Sequence, residues 1–483
     1  MLRLKTRLAS LAAALFTVAG PGPAAAAPAL PAVPDVGPAG TAMMHGDLAS
    51  TDSTPHPGPG PGARPAAWSI PGGVCGATFL TSEGRPVSLC TAVVGRDPLT
   101  VVAPTVVMFD PVSAQPVASL QLTKGGLLGG IYGYLDSRDR VVVADGSGAI
   151  VRVAHHRDAD GGTRLFVDGR IDLAAHLSAD DTVTGVAPDY QGRIWFATTG
   201  GVIGTVDADG RIGRTRLPDG EKLTNGLSIR PGGASVLTSR ALYEMAADDT
   251  GVPQIVWRRD YDAGTTRKPG QLAAGSGTTP TYFGPDGDGW VAIVDDAEPP
   301  QLIVHRTTDG SIVCRMPAFG RSGQGTENSP MAWGNSLIVP STYGFGYPPN
   351  ATDGPSDPPH AVFTGGMTRI DVSESGCGRV WESDDRMATL PKLSRADGSI
   401  HALAYGPIPA QGGVQQVGPI YYSAVDFDTG QRRAHEQVGF APLDEPLQLT
   451  GTIGSDGSFW QGTFGRMLKI VPERSVGASQ SAG

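Results

Sequence analysis

Three segments of this 483-residue chain carry oxygen-bearing side chains in company that suggests chemistry. Glu327 and Asn328 stand together in Gly-Thr-Glu-Asn-Ser-Pro, Asn225 stands in Leu-Thr-Asn-Gly-Leu-Ser, and Asp295 precedes Asp296 in Val-Asp-Asp-Ala-Glu-Pro-Pro. Carboxylate and carboxamide oxygens are hard ligands. Glu327, Asn328, Asn225 and Asp295 gathered in one place would suit calcium or another divalent cation. Such an ion can polarise a lactone or ester carbonyl, or it can simply tie strands together. Hydrolysis also needs a proton carrier, and His401, in Gly-Ser-Ile-His-Ala-Leu, is the candidate beside Glu327. The same residues have a plainer use. Asn and Asp cap turns, Glu327 can pair with an arginine, and His401 can be a core histidine bonded to backbone. For substrate contacts, Thr279 lies in Ser-Gly-Thr-Thr-Pro, and Tyr343, Phe345 and Tyr347 lie in the Pro/Gly-rich stretch 341–366. A loop that long inside a compact domain reads either as a lid or as an insertion held by its own aromatics. There is no His-Glu-x-x-His, Gly-x-Ser-x-Gly or P-loop, so zincin, α/β-hydrolase and nucleotide readings have no support.

The elements that must position these residues are short strands. From Asp181 to Pro218, four apolar runs are cut by Asp-Tyr-Gln-Gly, Thr-Thr-Gly-Gly and Asp-Ala-Asp-Gly. That pattern predicts an antiparallel four-stranded meander. A strand–turn–strand unit of the same kind recurs at 105–122, 149–169, 201–218, 241–260, 301–319, 367–383 and 421–439, and an eighth at 458–473 ends early. Four-stranded sheets repeated around an axis make an all-β β-propeller. The best count is eight blades, with six or seven as alternatives. The incomplete last blade predicts closure by strands from both termini, with segment 74–89 supplying the outer strand. By this register the inner strands start near Ala92, Ile131, Thr184, Asn225, Thr279, Asn328, His401 and Gly451. These starts converge on one mouth of the central channel, and loop 341–366 overhangs it. The 68 Gly and 41 Pro residues suit many turns. A net charge of −10, with no Lys/Arg cluster past residue 8, argues against nucleic acid or an anionic membrane surface as partner.

Arg3, Lys5 and Arg7 precede the apolar run Leu8 to Ala19, which is too short to span a membrane. Residues 1–27 therefore read as a Sec-type signal peptide cleaved near Ala27–Ala29. No cysteine stands near that point to make a lipobox. The expected product is a secreted monomer without membrane insertion. It comprises a disordered Pro/Ala/Gly-rich linker over 28–67, a propeller over 68–474 and a disordered tail over 475–483. Four cysteines in an exported chain favour disulfides, and three pairings are possible. Cys75–Cys90 would close a local loop; Cys314 and Cys377 fall at matching places in neighbouring repeats, which favours joining them.

The phrase Pro-Asp-Tyr-Gln-Gly-Arg-Ile-Trp-Phe-Ala-Thr-Thr-Gly-Gly-Val-Ile-Gly-Thr-Val-Asp (188–207) resembles the secreted propellers of the regucalcin/gluconolactonase, strictosidine synthase and paraoxonase group. The turn Ala-Val-Asp-Phe-Asp-Thr-Gly-Gln (424–431) resembles quinoprotein repeats, although Arg432-Arg433-Ala434 stands where those carry a tryptophan. The resemblance covers blade grammar over roughly 90–473. It implies the fold and, for Asn225, a metal-ligand position. That group is usually six-bladed, where this chain reads as eight. The leading expectation is a small-molecule ligand or substrate at the channel mouth, with metal-assisted lactone or ester hydrolysis. A non-enzymatic ligand- or partner-binding propeller is the alternative, and a quinone-dependent oxidoreductase the third.

Overall fold

The computed structural model describes residues 30–31, 33–94, 100–124, 132–178, 181–223, 225–321, 324–406 and 417–473. The expected signal peptide, the expected tail and Ile131 lie outside these residues.

Eight four-stranded antiparallel sheets succeed one another along the chain as the blades of a β-propeller. Blade 1 covers 74–121, blade 2 134–172, blade 3 183–216, blade 4 228–260, blade 5 281–317, blade 6 331–383 and blade 7 392–441. Blade 8 combines 452–471 with a strand from near the N-terminus. Blade 3 shows why the sequence folds this way. Its strands Val183–Pro188, Ile194–Thr198, Val202–Val206 and Ile212–Arg216 are built from β-branched and aromatic residues. The two middle strands are buried on both faces between neighbouring blades, whereas the outermost alternates. The turns are closed by aspartate. Asp207 Oδ1 accepts the backbone N–H groups of Asp209 and Arg211, both at 2.9 Å, and Asp189 Oδ1 does the same for Gln191 and Arg193. The Asp-Tyr-Gln-Gly and Asp-Ala-Asp-Gly turns thus each spend an aspartate oxygen on turn amides.

Both termini do close the ring, but with a different strand from the one expected. The outer strand of blade 8 is Arg64–Ser69, antiparallel to Met467–Val471. Segment 74–89 instead lies within the first two strands of blade 1, Val74–Leu80 and Pro86–Thr91. The inner strand of blade 1 therefore starts at Val74 rather than Ala92, which begins an excursion between the second and third strands. The Pro-Gly-Gly break at 71–73 is what separates the closing strand from blade 1. Cys75 and Cys90 face each other across these two strands as a disulfide. The second disulfide joins Cys314, on the outer strand of blade 5, to Cys377, on the outer strand of blade 6.

The stretch expected as a disordered linker is ordered over its described residues, and part of it runs through the channel. The inner strand of each blade presents an unpaired edge to the axis, and its N–H groups need acceptors. Residues 41–54 supply them in ring order. Leu80 N–H donates to Thr41 O (3.2 Å), Leu135 to Ala42 (2.8 Å), Ile229 to Leu48 (2.7 Å), Tyr282 to Ala49 (2.9 Å), Ala332 to Thr51 (2.9 Å) and Leu393 to Asp52 (2.9 Å). Ser53–Thr54 then adds a short parallel strand inside Lys392–Ser394 of blade 7. We call this segment the strap. It turns at Gly46 (φ 81°), where a Cβ would sit 2.4 Å from Ser53 O. A chain beginning at Arg64 keeps the closing strand but loses the strap. Each lost bond contributes about 1 kcal/mol, so its melting temperature, followed by circular dichroism, should fall by more than about 5 °C. An unchanged melting temperature would show that the strap is not structural.

Candidate functional site

The mouth where the inner strands begin holds a small chamber of about 80 Å³. Asn225 reaches it from the approach to blade 4, Glu327 and Asn328 from the approach to blade 6, and Gln448 from the approach to blade 8. Tyr347 reaches it from loop 341–366. Three of the four expected ion ligands thus share one space with one of the expected aromatics. The amides are fixed by their Nδ2 groups. Asn225 donates to Ser276 O and Thr278 O, both at 3.4 Å, and Asn328 donates to Gln448 Oε1 at 3.0 Å.

Loop 341–366 covers this mouth and is bonded to what it covers. Thr342 Oγ1 accepts the Glu327 N–H (2.8 Å) and donates to Gly270 O (2.7 Å). Gly344 N–H donates to Pro269 O (3.0 Å), and Asp353 N–H donates to Leu272 O (2.7 Å). Phe345 meets Tyr347 edge-on at 4.7 Å and Phe363 at 5.9 Å, and Phe363 meets Tyr405 in the same manner. Phe345 is therefore an anchor of the loop in the core rather than a wall of the chamber. Tyr343 is half-buried beside Gly325 and does not line the chamber.

The strap contributes a residue that the sequence reading missed. His45, 6% exposed, lines the chamber and stacks on Tyr132 at 6.0 Å. Its Nδ1 lies 2.8 Å from Asp52 Oδ2. Asp52 is fully buried and also takes the Lys392 ammonium at 2.6 Å. A carboxylate only accepts, so Nδ1 carries the proton. His45 Nε2 is buried without a hydrogen-bond partner. Burial would raise the Asp52 carboxyl, but the adjacent His45 and Lys392 hold it below the ordinary value. Glu327 goes the other way. Burial, and secondarily the charge of Asp296, outweigh the Leu272 N–H that bonds Oε2 (3.0 Å), and its carboxyl is pushed up to about 8.

The remaining expected residues lie elsewhere. Asp295 caps its own turn, accepting the Ala297 and Gln301 amides at 3.2 and 2.6 Å, and is not on the chamber wall. Thr279 is buried behind it, its N–H on Ser329 Oγ (2.8 Å). His401 is not at an inner-strand start. The inner strand of blade 7 is Lys392–Ser394, and His401 sits in the second strand, Ser399–Tyr405. There its Nδ1 meets Tyr422 OH at 2.7 Å and its Nε2 lies 3.2 Å from both Asp397 oxygens. Both ring nitrogens are used, which suits a core histidine and not an acid–base catalyst.

Among the described residues, no group of three or more His, Cys, Asp and Glu side chains is placed to hold a metal. The chamber offers one carboxylate and a few amide oxygens, whereas calcium takes six to eight oxygens. The donor set does not fit the expected calcium.

No protein-family model matches the sequence, and no curated protein matches it. Among solved structures, the chain is similar to Sqt1 of Chaetomium thermophilum, solved bound to the N-terminus of ribosomal protein L10. The identity is 11% and the TM-score 0.54, covering 85% of this chain and 100% of that one. A computationally designed protein, Ika8, aligns at 11% identity and TM-score 0.48 over 85% of this chain and 100% of its own. BamB of Moraxella catarrhalis aligns at 13% identity and TM-score 0.41 over 73% and 96%. At these identities the likeness shows the fold alone: this is an eight-bladed β-propeller.

The chamber makes a prediction about pH. A carboxyl at about 8 in the folded chain, against an ordinary 4.5, keeps its proton where the unfolded chain has released it. Stability then falls as pH rises from about 5 to 8. Glu327→Gln removes this titration. Melting curves of the two proteins should agree in trend below pH 5, and the wild type should lose ground to the variant by pH 8. Parallel pH profiles would show that Glu327 is ionised in the folded state.

Proposed function

We propose that the protein is an exported propeller that holds a small polar molecule in the lidded chamber. The observation that supports this reading is the convergence of Glu327, Asn225 and Asn328 with His45 of the strap and Tyr347 of the lid on one small cavity. Two disulfides are compatible with export, and among the described residues no helix is long and apolar enough to cross a membrane. A chamber of 80 Å³ has room for roughly two or three waters, about half the space that admits benzene. A ligand of a few non-hydrogen atoms fits with the lid closed, and a larger one requires loop 341–366 to open. Acetate, acetamide, urea and glycolaldehyde are suitable probes. At least one should raise the melting temperature of the wild type more than that of Asn328→Leu; no such difference for any of the four removes the reading.

A second reading, ester or lactone hydrolysis, is favoured by the unpartnered Nε2 of His45. With Nδ1–H on Asp52, Nε2 can take the proton of a water attacking a carbonyl carbon. Protonated Glu327 can donate to the carbonyl oxygen, and His45 then returns its proton to the departing alkoxide. The acid–base role expected of His401 passes to His45. With p-nitrophenyl acetate and γ-butyrolactone as substrates, His45→Gln should lower kcat by about 100-fold or more. A rate unchanged by that substitution ends the hydrolytic reading and leaves the binding reading standing.

A further inference from the structure

The opposite mouth, where the inner strands end, holds a second and much larger cavity of about 780 Å³. This is the size of a site for a drug-sized molecule. Its walls are mainly apolar, with Val33 and Met43 from the strap and its approach, and Phe283 and Trp333 from the ends of the inner strands of blades 5 and 6. Asp47, which also lines it, is the one acidic side chain on these walls. Asp47 accepts the Thr51 N–H at 3.0 Å and the Thr51 hydroxyl at 2.5 Å, and it forms no ion pair among the described residues. Arg395, exposed at the rim, acts on it only from a distance.

Largely buried carboxylates are usually paired with a cation. Here the protein supplies apolar and aromatic surface around the acid instead. Burial accordingly raises the Asp47 carboxyl above its ordinary range, and the Arg395 charge offsets only part of that rise. A cavity that carries both a carboxylate and aromatic side chains suits an amphipathic ammonium, through charge and through the ring quadrupoles. We propose that this cavity binds an amphipathic organic amine, with its ammonium on Asp47 and its hydrocarbon against Val33, Met43, Phe283 and Trp333. This site does not depend on the lidded chamber.

The test is isothermal titration of the full chain with 4-phenylbutylamine and with 4-phenylbutanol, which differ mainly in charge. The amine should bind about ten-fold tighter or better. Asp47→Asn, which keeps an acceptor for Thr51, should bring the amine to the level of the alcohol. Val36→Trp, which adds bulk to the cavity wall and leaves the acid itself in place, should weaken both. Equal binding of amine and alcohol, or a preference that survives Asp47→Asn, overturns the proposal.

Discussion

Eight inner strands pointing their free edges at one axis create the demand that the rest of this structure answers. Each edge carries amides that pair with nothing in its own blade, and the channel is too narrow for every one to be left to bulk water. Residues 41–54 meet that demand with carbonyls delivered in ring order to Leu80, Leu135, Ile229, Tyr282, Ala332 and Leu393. A segment lying that close to so many backbones must be slender. The strap is accordingly made of Gly, Ala, Ser and Thr between a few larger residues, and it turns through positive φ at Gly46, Ser50 and Asp52. Only glycine adopts such a backbone freely. At Ser50 and Asp52 the cost is offset by buried bonds, Ser228 Oγ to Ser50 Oγ at 2.7 Å and the Asp52 contacts to His45 and Lys392.

The same geometry divides the channel into two compartments. Met44 and His45 face the lidded chamber, while Asp47, Thr51 and Ser53 face the open cavity at the other mouth. The strap is thus the shared wall, and it gives an ionisable side chain to each side, His45 to the chamber and Asp47 to the cavity. Asp52 sits between them, with Lys392 also bonded to Met44 O. An ammonium buried to 2% exposure beside a carboxylate buried to 0% is tolerable only because the two are in contact. Their pairing fixes the carboxylate that orients His45.

What could be read from the sequence was the part governed by period. Apolar runs of five residues cut by Asp-Gly turns gave the blades, their order and the mouth toward which Asn225, Glu327 and Asn328 point. Cys314 and Cys377 were legible because equivalent strands of adjacent blades lie side by side. The strap has no period, since each of its residues meets a different blade, so composition alone made it look like a linker. The signal was local: Ala-Met-Met-His-Gly-Asp-Leu (42–48) sets apolar bulk beside two ionisable groups within the Pro/Ala/Gly-rich stretch. His401 was misplaced by register. Lys392–Ser394 is only three residues long and carries too little pattern to mark an inner strand, so the longer run after it took that role.

The two acids near the chamber show how environment alone assigns opposite roles to like groups. Asp52 is the more deeply buried, yet it stays ionised because a donor touches each of its oxygens: the His45 Nδ1–H on one and the Lys392 ammonium on the other. Burial of Glu327, with the charge of Asp296 added, outweighs its single backbone N–H from Leu272 and pushes its carboxyl up to about 8. One carboxylate is thereby fixed as an anion that steers an imidazole, and the other as a neutral donor across the same small space. Environments that push two titratable groups apart in this way are the usual basis for separate acid and base roles. That separation survives without the expected ion, because it arises from Lys392, His45 and the burial of Glu327 alone.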